Sequence, residues 1–247
     1  MDKALYVAMT GASASLRAQS AVSQNLANVN TVGYKAQLAG TEVFQIPGKG
    51  LPTRFDAIPV QPGFDDRAGP LQVTGGDLDI ALHEGVWLAV NDAQGGVAYT
   101  RAGQLGLTAN GLLTTASGLQ VLGEGGPVAV PPREKVTIGA DGTISIVPQG
   151  QGPNTIAQVG RLRLVQPAPD SLERGEDGLF RVKQGAAEPA PAVGVALTQG
   201  ALEGSNVEAA GALVQMIALQ RAFEAQVKVI KNVEENARST NTLLRLT

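Results

Sequence analysis

The chain has 247 residues with no cysteine, one histidine and few aromatic residues, which make up 4% of the sequence. Without cysteine it can form no disulfide, no thiolate metal site and no thiol nucleophile. A single histidine, His83, cannot build a multi-histidine metal centre. No apolar run approaches the roughly 20 residues that span a membrane. The first twenty residues lack the apolar core of a signal peptide, so we expect no cleaved leader.

The chain also lacks a large excess of either charge, since the formal net charge is −3 and acidic and basic residues are intermixed. No basic stripe is present, so nucleic-acid binding has little electrostatic support. Glycine is abundant instead, with 31 residues. Many glycines with few aromatics indicate turn-dense β-structure, in a chain long enough for one large domain or two smaller ones.

Both ends of the chain carry a heptad pattern, in which mostly apolar residues recur at alternating spacings of four and three positions. The first pattern runs over residues 5–26 and predicts a helix from Asp2 to Ala27. The second runs over residues 202–244 and predicts a helix that starts at a capping box in residues 205–208. Polar residues interrupt both patterns, so we infer that the helices order fully only against other subunits. An ordinary intramolecular helix pair is the alternative.

The middle of the chain has a different period. Residues 36–70 are rich in proline and glycine, which predicts an extended arm or long loop. In residues 71–202 apolar residues alternate with polar ones, as in 78–82 and 143–146, and paired turn residues recur at short intervals. The fold class is therefore mixed α and β: residues 1–35 and 203–247 form a discontinuous helical domain that flanks a central all-β domain of short antiparallel strands.

No group of residues predicts catalysis. His83 is expected at a strand end beside a turn, and Asp77 and Asp79 on one solvent-facing strand surface. Residues 91–95 resemble the start of a calcium loop but lack the closing glutamate. Trp87 is expected in the core. We therefore predict no catalytic residue, no metal and no cofactor.

One segment points to a family. Residues 23–35, SQNLANVNTVGYK, resemble the signature S-x-N-L-A-N-x-x-T-x-G-[FY]-[KR] of bacterial flagellar basal-body rod and hook proteins. The C-terminal helix carries matching residues at 205–207 and 216–224, and residues 78–90, LDIALHEGVWLAV, resemble the β-domain of the same family. The sequence departs from the family where Val86 and Trp87 replace the more usual pair of phenylalanines.

The resemblance implies a structural subunit without enzymatic activity. It implies helices in an inner tubular layer around an export channel, and a β-domain outside. The partners it implies are copies of the chain, adjacent rod subunits and the flagellar export apparatus, with no nucleic acid and no membrane insertion. The location it implies is the periplasmic rod of the basal body, reached without cleavage of the N-terminus. The opening residues resemble proximal-rod members, with a distal-rod subunit as the close alternative.

The resemblance also assigns roles at the turn after the first helix. Gly33 would let the chain turn sharply, Asn25 and Asn28 would satisfy backbone groups, and Leu26 would anchor the turn in the helical layer. The full set of predicted assembly residues is Leu16, Asn25, Leu26, Asn28, Gly33, Tyr34, Leu213, Met216, Phe223, Val227 and Ile230. Two other classes stay open here: a secreted β-rich enzyme acting on cell-wall polysaccharide, and an adhesin-like binding module.

Overall fold

Two long helices lie at the ends of the chain, and short strands occupy the middle. The structure, a computed structural model, describes residues 2–45, 55–60, 63–150, 155–168 and 170–245. The helices are α1 (Asp2–Ala27) and α2 (Ala209–Arg245). The strands are β1 (Gly40–Gln45), β2 (Phe55–Val60), β3 (Leu71–Val73), β4 (Ile80–Leu82), β5 (Trp87–Asn91), β6 (Val97–Thr100), β7 (Leu105–Leu107), β8 (Leu113–Thr115), β9 (Leu122–Gly123), β10 (Gly126–Pro127), β11 (Arg133–Ile138), β12 (Thr143–Pro148), β13 (Ala157–Arg161), β14 (Leu164–Gln166), β15 (Leu172–Arg174), β16 (Phe180–Val182), β17 (Ala190–Pro191), β18 (Leu197–Gln199) and β19 (Ala201–Glu203).

This element order confirms the predicted mixed α and β class, with a helix at each end of an antiparallel β region. The chain forms two compact units. The helical unit contains residues 1–29, 37–64 and 207–247, and the β unit contains residues 30–36 and 65–206. By compactness, therefore, residues 30–36 group with the β unit and residues 37–64 with the helices.

In the helical unit α1 packs against α2, and β1 pairs with β2 in an antiparallel hairpin. The hairpin lies within the segment that the proline and glycine content predicts to be an arm or loop, so regular structure extends further there than that content indicates. A two-stranded hairpin tolerates proline because each strand has one edge that needs no ladder donor. Part of this predicted arm, residues 46–54 and 61–62 with Pro47, Pro52 and Pro62, lies outside the described residues.

The β unit is built on a six-stranded antiparallel sheet with the order β15-β16-β6-β5-β14-β17, a three-stranded sheet β11-β12-β13 and several two-stranded pairs. Its core includes Ile80, Leu88, Val90 and Val121, each 0% exposed. Trp87 is buried, as predicted, and its ring centroid lies 4.6 Å from that of Phe180.

The turn predictions for the β unit are confirmed. Each of the six predicted turn pairs contains a glycine with positive φ, a backbone conformation that side chains disfavour. These glycines are Gly75, Gly95, Gly111, Gly126, Gly142 and Gly178. The predicted alternation holds in β12, where Ile144 and Ile146 are buried and Thr143 and Ser145 are not. It fails in β4, where Ala81 is buried as well as its neighbours.

The start of the second helix differs from the prediction. Helix α2 begins at Ala209, and the Glu208 carbonyl accepts the first described helical bond, from the Ala212 N–H. Leu202 lies in β19, which pairs with β3, and residues 204–208 are irregular. The heptad pattern and the capping box at Ser205 therefore extended the helix too far, because strand pairing overrides the local helical signal.

Candidate assembly site

Helix α1 buries small residues and exposes large ones. Ala8, Ala12, Ala21 and Val22 are buried. A Cβ added to Gly11 would lie 3.0 Å from Gln226 of α2, so the two helices approach closely there. Tyr6, Met9 and Leu16 are instead 64%, 52% and 50% exposed. The predicted assembly residue Leu16 thus lies on a face that the chain itself leaves open.

Helix α2 has no buried side chain among the positions whose exposure is described. Four predicted residues are half-buried, namely Met216, Phe223, Val227 and Ile230. The fifth, Leu213, is 49% exposed. Further large apolar residues on α2 are also exposed, at 68%, 53% and 45% for Val214, Ile217 and Val229. One partner helix therefore leaves much of the apolar surface of α2 in water, which is unfavourable in an isolated chain.

The end of α1 is secured by two asparagines. Asn25 is buried, donates from Nδ2 to the Gln37 carbonyl at 2.9 Å, and accepts from the Gln37 N–H at 2.8 Å. Asn28 donates from Nδ2 to the Gln24 carbonyl at 2.8 Å, which caps the last turn. Both side chains therefore satisfy backbone groups where the helix ends. Leu26, between them, is half-buried.

Gly33 and Tyr34 belong to the β unit. Gly33 has a φ of +68°, and an added Cβ would overlap the Arg101 carbonyl group. Its N–H donates to the Glu203 carbonyl at 2.8 Å. Tyr34 is buried beneath the Arg174 guanidinium, whose carbon lies 4.3 Å from the ring centroid. Only glycine fits at position 33, and Tyr34 lies against a cation.

Lys35, which follows Tyr34, belongs to a buried charge cluster that charge patterning alone does not predict. Lys35 and Arg101 both contact Glu203, with Nζ–Oε1 at 3.1 Å and Nη2–Oε2 at 2.6 Å. All three side chains are at most 2% exposed. Burial lowers the pKa of Lys35, the neighbouring Arg101 charge lowers it further, and Glu203 opposes both effects. Lys35 is the last residue of the signature-like segment, which was the one available signal.

The residues considered for catalysis are separated or already engaged. His83 is exposed at the end of β4, as predicted, and its Nε2 lies 3.1 Å from Thr198 Oγ1. Asp77 lies in a turn, not on a shared strand surface with Asp79, so that prediction is wrong. Asp79 accepts a hydrogen bond from Thr74 Oγ1 at 2.6 Å. Asp92, in the calcium-like segment, accepts from the Gln94 and Gly96 N–H groups in the turn between β5 and β6.

A groove of about 540 Å³ in the β unit passes His83 and Glu84 and reaches the buried Glu203. Both oxygens of Glu203 are engaged, one by Lys35 and the Gly69 N–H and the other by Arg101. The groove therefore does not supply the two available carboxylates that a polysaccharide-cleaving site requires. Among the described residues no group of three or more metal-ligating side chains is assembled. Neither described helix combines the length and apolarity that crossing a membrane would need.

Comparison with known families matches three parts of the chain. Residues 5–35 match the model of the flagella basal body rod protein, residues 84–146 that of the flagellar hook protein FlgE/F/G D1 domain, and residues 198–243 that of the flagellar basal body rod FlgEFG protein C-terminal. The chain is similar over its full length to two proteins described as flagellar basal-body rod protein FlgF. It is 43% identical to the one from Escherichia coli and 42% identical to the one from Salmonella typhimurium, and each is covered completely.

The chain belongs to the flagellar basal-body rod protein family and is a structural subunit of that rod in the basal body. Within the family the FlgF proteins of Escherichia coli and Salmonella typhimurium are more similar to it than a FlgG protein of Buchnera aphidicola. That FlgG protein is 31% identical, with 95% of this chain and 97% of the relative covered.

Proposed function

We propose that this subunit polymerises in the proximal rod through α1 and α2, encloses the export channel and transmits torque without catalysing a reaction. The apolar surface left exposed on both helices carries the proposal. On α1 it includes Tyr6, Met9 and Leu16, and on α2 it includes Leu213, Val214 and Ile217. An apolar surface on a helix that one partner does not cover fits burial against helices of neighbouring subunits.

The β unit and the helical unit differ in how they bury their side chains, and this difference supports assembly through the helices. The β unit has its own hydrophobic core of buried aliphatic side chains. The helical unit buries mainly small residues on α1 and no described side chain on α2. Assembly therefore stabilises the helical unit most, and the predicted partners are copies of this chain and adjacent rod subunits.

The route by which the subunit reaches the rod follows from the same proposal. We infer export through the flagellar apparatus with an uncleaved N-terminus and a final place in the periplasmic part of the basal body. A chain without cysteine suits this route, because no disulfide can form before or after passage.

The test is complementation of an Escherichia coli strain that lacks FlgF, followed by measurement of the subunit in purified basal bodies. Ile217→Asp places a charge on the exposed face of α2, where it should remove the subunit from basal bodies and abolish swimming. Ile217→Leu is the control, since it keeps an apolar group at the same position. Leu26 and Phe223 are less suitable sites because both are half-buried, so a charge there would also disturb the helical unit.

Two results would contradict the proposal. One is normal incorporation of Ile217→Asp, with swimming equal to that of the control. The other is restored swimming only in a strain that lacks FlgG, which would favour the distal-rod alternative. Thermal unfolding of the purified variants separates loss of assembly from loss of folding, since an exposed substitution should leave the β unit intact.

A further inference from the structure

Three irregular segments meet inside the β unit at the places where the chain enters or leaves it. We call residues 30–36, 65–69 and 203–206 the neck segments. Every covalent path between the two compact units passes through one of them, because the unit boundaries fall after residues 29, 36, 64 and 206. The first two segments contain no strand, and only Glu203 of the third belongs to one, β19. Their backbone groups must therefore find partners outside regular ladders.

One side chain, Asn206, joins all three neck segments. Its Oδ1 accepts from the Ala36 N–H at 2.7 Å, and its Nδ2 donates to the Asp65 and Arg67 carbonyls at 2.8 and 3.0 Å. Its own N–H donates to the Tyr34 carbonyl at 3.3 Å. A single amide thus ties the segment in which it lies to both others.

The buried charge cluster joins the same three segments a second time. Lys35 donates from Nζ to Glu203 and also to the Asp66 and Arg67 carbonyls, at 3.1 and 2.7 Å. Glu203 accepts in addition from the Gly69 N–H at 2.9 Å. Lys35 and Glu203 therefore connect every pair of neck segments, and they do so where water is excluded and each bond is strengthened.

We propose that Asn206, Lys35 and Glu203 form a clasp, a conformational lock that holds the neck segments together and releases them as one cooperative unit. The clasp fixes the spacing of the chain segments that lead to α1 and α2. It goes beyond the rod function, because it is a property of the single chain before any assembly. Since each of the three side chains bonds to more than one segment, loss of any one weakens the attachment of all.

The experiment is amide hydrogen exchange on the purified full-length protein, read by mass spectrometry. Asn206→Ala removes the shared amide from one segment, and Lys35→Met removes the shared ammonium from another. We expect each variant to accelerate exchange at least about tenfold throughout residues 30–36 and 65–69. Exchange in β5 and β12 should remain slower than in the neck segments in every variant, because the sheet core opens only when the whole β unit unfolds. Asn110→Ala, at an exposed turn position in the same unit, is the control and should change neither neck segment.

Two outcomes would overturn the clasp. Acceleration confined to the residue that lost its direct bond would show independent attachments. Equal opening free energies for the neck segments and the sheet core in the unsubstituted protein would show that the neck opens only when the whole β unit unfolds. If Asn206→Ala does not fold, as judged by Trp87 fluorescence, Asn206→Asp replaces it. That variant keeps the acceptor for Ala36 but loses both donors, so it should open the same residues.

Discussion

Lys35 and Glu203 are 168 positions apart in the sequence, yet Nζ of the first lies 3.1 Å from Oε1 of the second, with both side chains almost fully buried. Arg101 contacts the other oxygen of Glu203. A single carboxylate therefore contacts both buried cations. The pair connects the segment that follows α1 to the strand β19 that precedes α2, within the β unit.

Substitution of Glu203 should destabilise the β unit more than substitution of Lys35. Glu203→Gln leaves two uncompensated cations beside each other, and we expect it to destabilise the β unit by about 3–5 kcal/mol. Lys35→Met removes the ion pair with Glu203 and the bonds to two carbonyls but leaves the Arg101–Glu203 pair, so we expect a smaller loss of about 1–3 kcal/mol. Urea unfolding followed by the fluorescence of Trp87, the single tryptophan, measures the β unit selectively.

Glu124→Gln is the matched control for that series. Glu124 pairs with Arg161 at 3.4 Å on the surface, where an ion pair contributes at most about 1 kcal/mol. An equal or larger loss for Lys35→Met than for Glu203→Gln would refute the view that the carboxylate is the central group.

Gly33→Ala should be far more damaging than Gly95→Ala, although both glycines have positive φ. The values are +68° at Gly33 and +82° at Gly95. At Gly95 an added Cβ meets nothing within 4 Å, so the substitution costs only the backbone strain of about 1–2 kcal/mol. At Gly33 the Cβ would overlap the Arg101 carbonyl, and we expect a loss of at least about 3 kcal/mol. The same urea titration checks both, and comparable losses would show that the neighbouring backbone yields easily.

Acid should weaken the β unit partly through Asp177. Hydrogen bonds from Arg181 hold the pKa of this carboxyl below its ordinary value of 3.8. A lowered folded-state pKa contributes stability above pH 3.8 that is lost as the pH falls through the lowered value. We expect Asp177→Asn to be less stable at about pH 6, and to lose less of its remaining stability between about pH 6 and about pH 3.

The control for the acid experiment is Glu176→Gln, at the exposed neighbouring position. It removes one surface carboxyl while the contact between Asp177 and Arg181 stays in place. If Asp177→Asn shows the same acid dependence as Glu176→Gln, the contact with Arg181 does not contribute to the pH response.

Local sequence patterns predict some elements of the fold and not others. The bounds of α1 follow from its heptad pattern and the Asn and Gly residues after it. The six turn pairs follow from the backbone freedom of glycine. The start of α2 cannot be predicted from local signals, because Leu202 pairs with Gln72 of β3, a residue distant in the sequence. The buried cluster was equally hidden, because its members come from three distant segments and each looks like a solvated charge when read alone.

In our proposal, other subunits in the rod cover the exposed apolar faces of α1 and α2. The absence of cysteine makes a single introduced thiol a unique probe. Ile217→Cys and Leu16→Cys each place one thiol on an exposed helix position. Maleimide labelling of each is compared in the free subunit, in purified basal bodies and in basal bodies after denaturation. We expect labelling in the first and third states and protection in the second. Equal labelling of both positions in assembled basal bodies and in the free subunit would contradict the proposal.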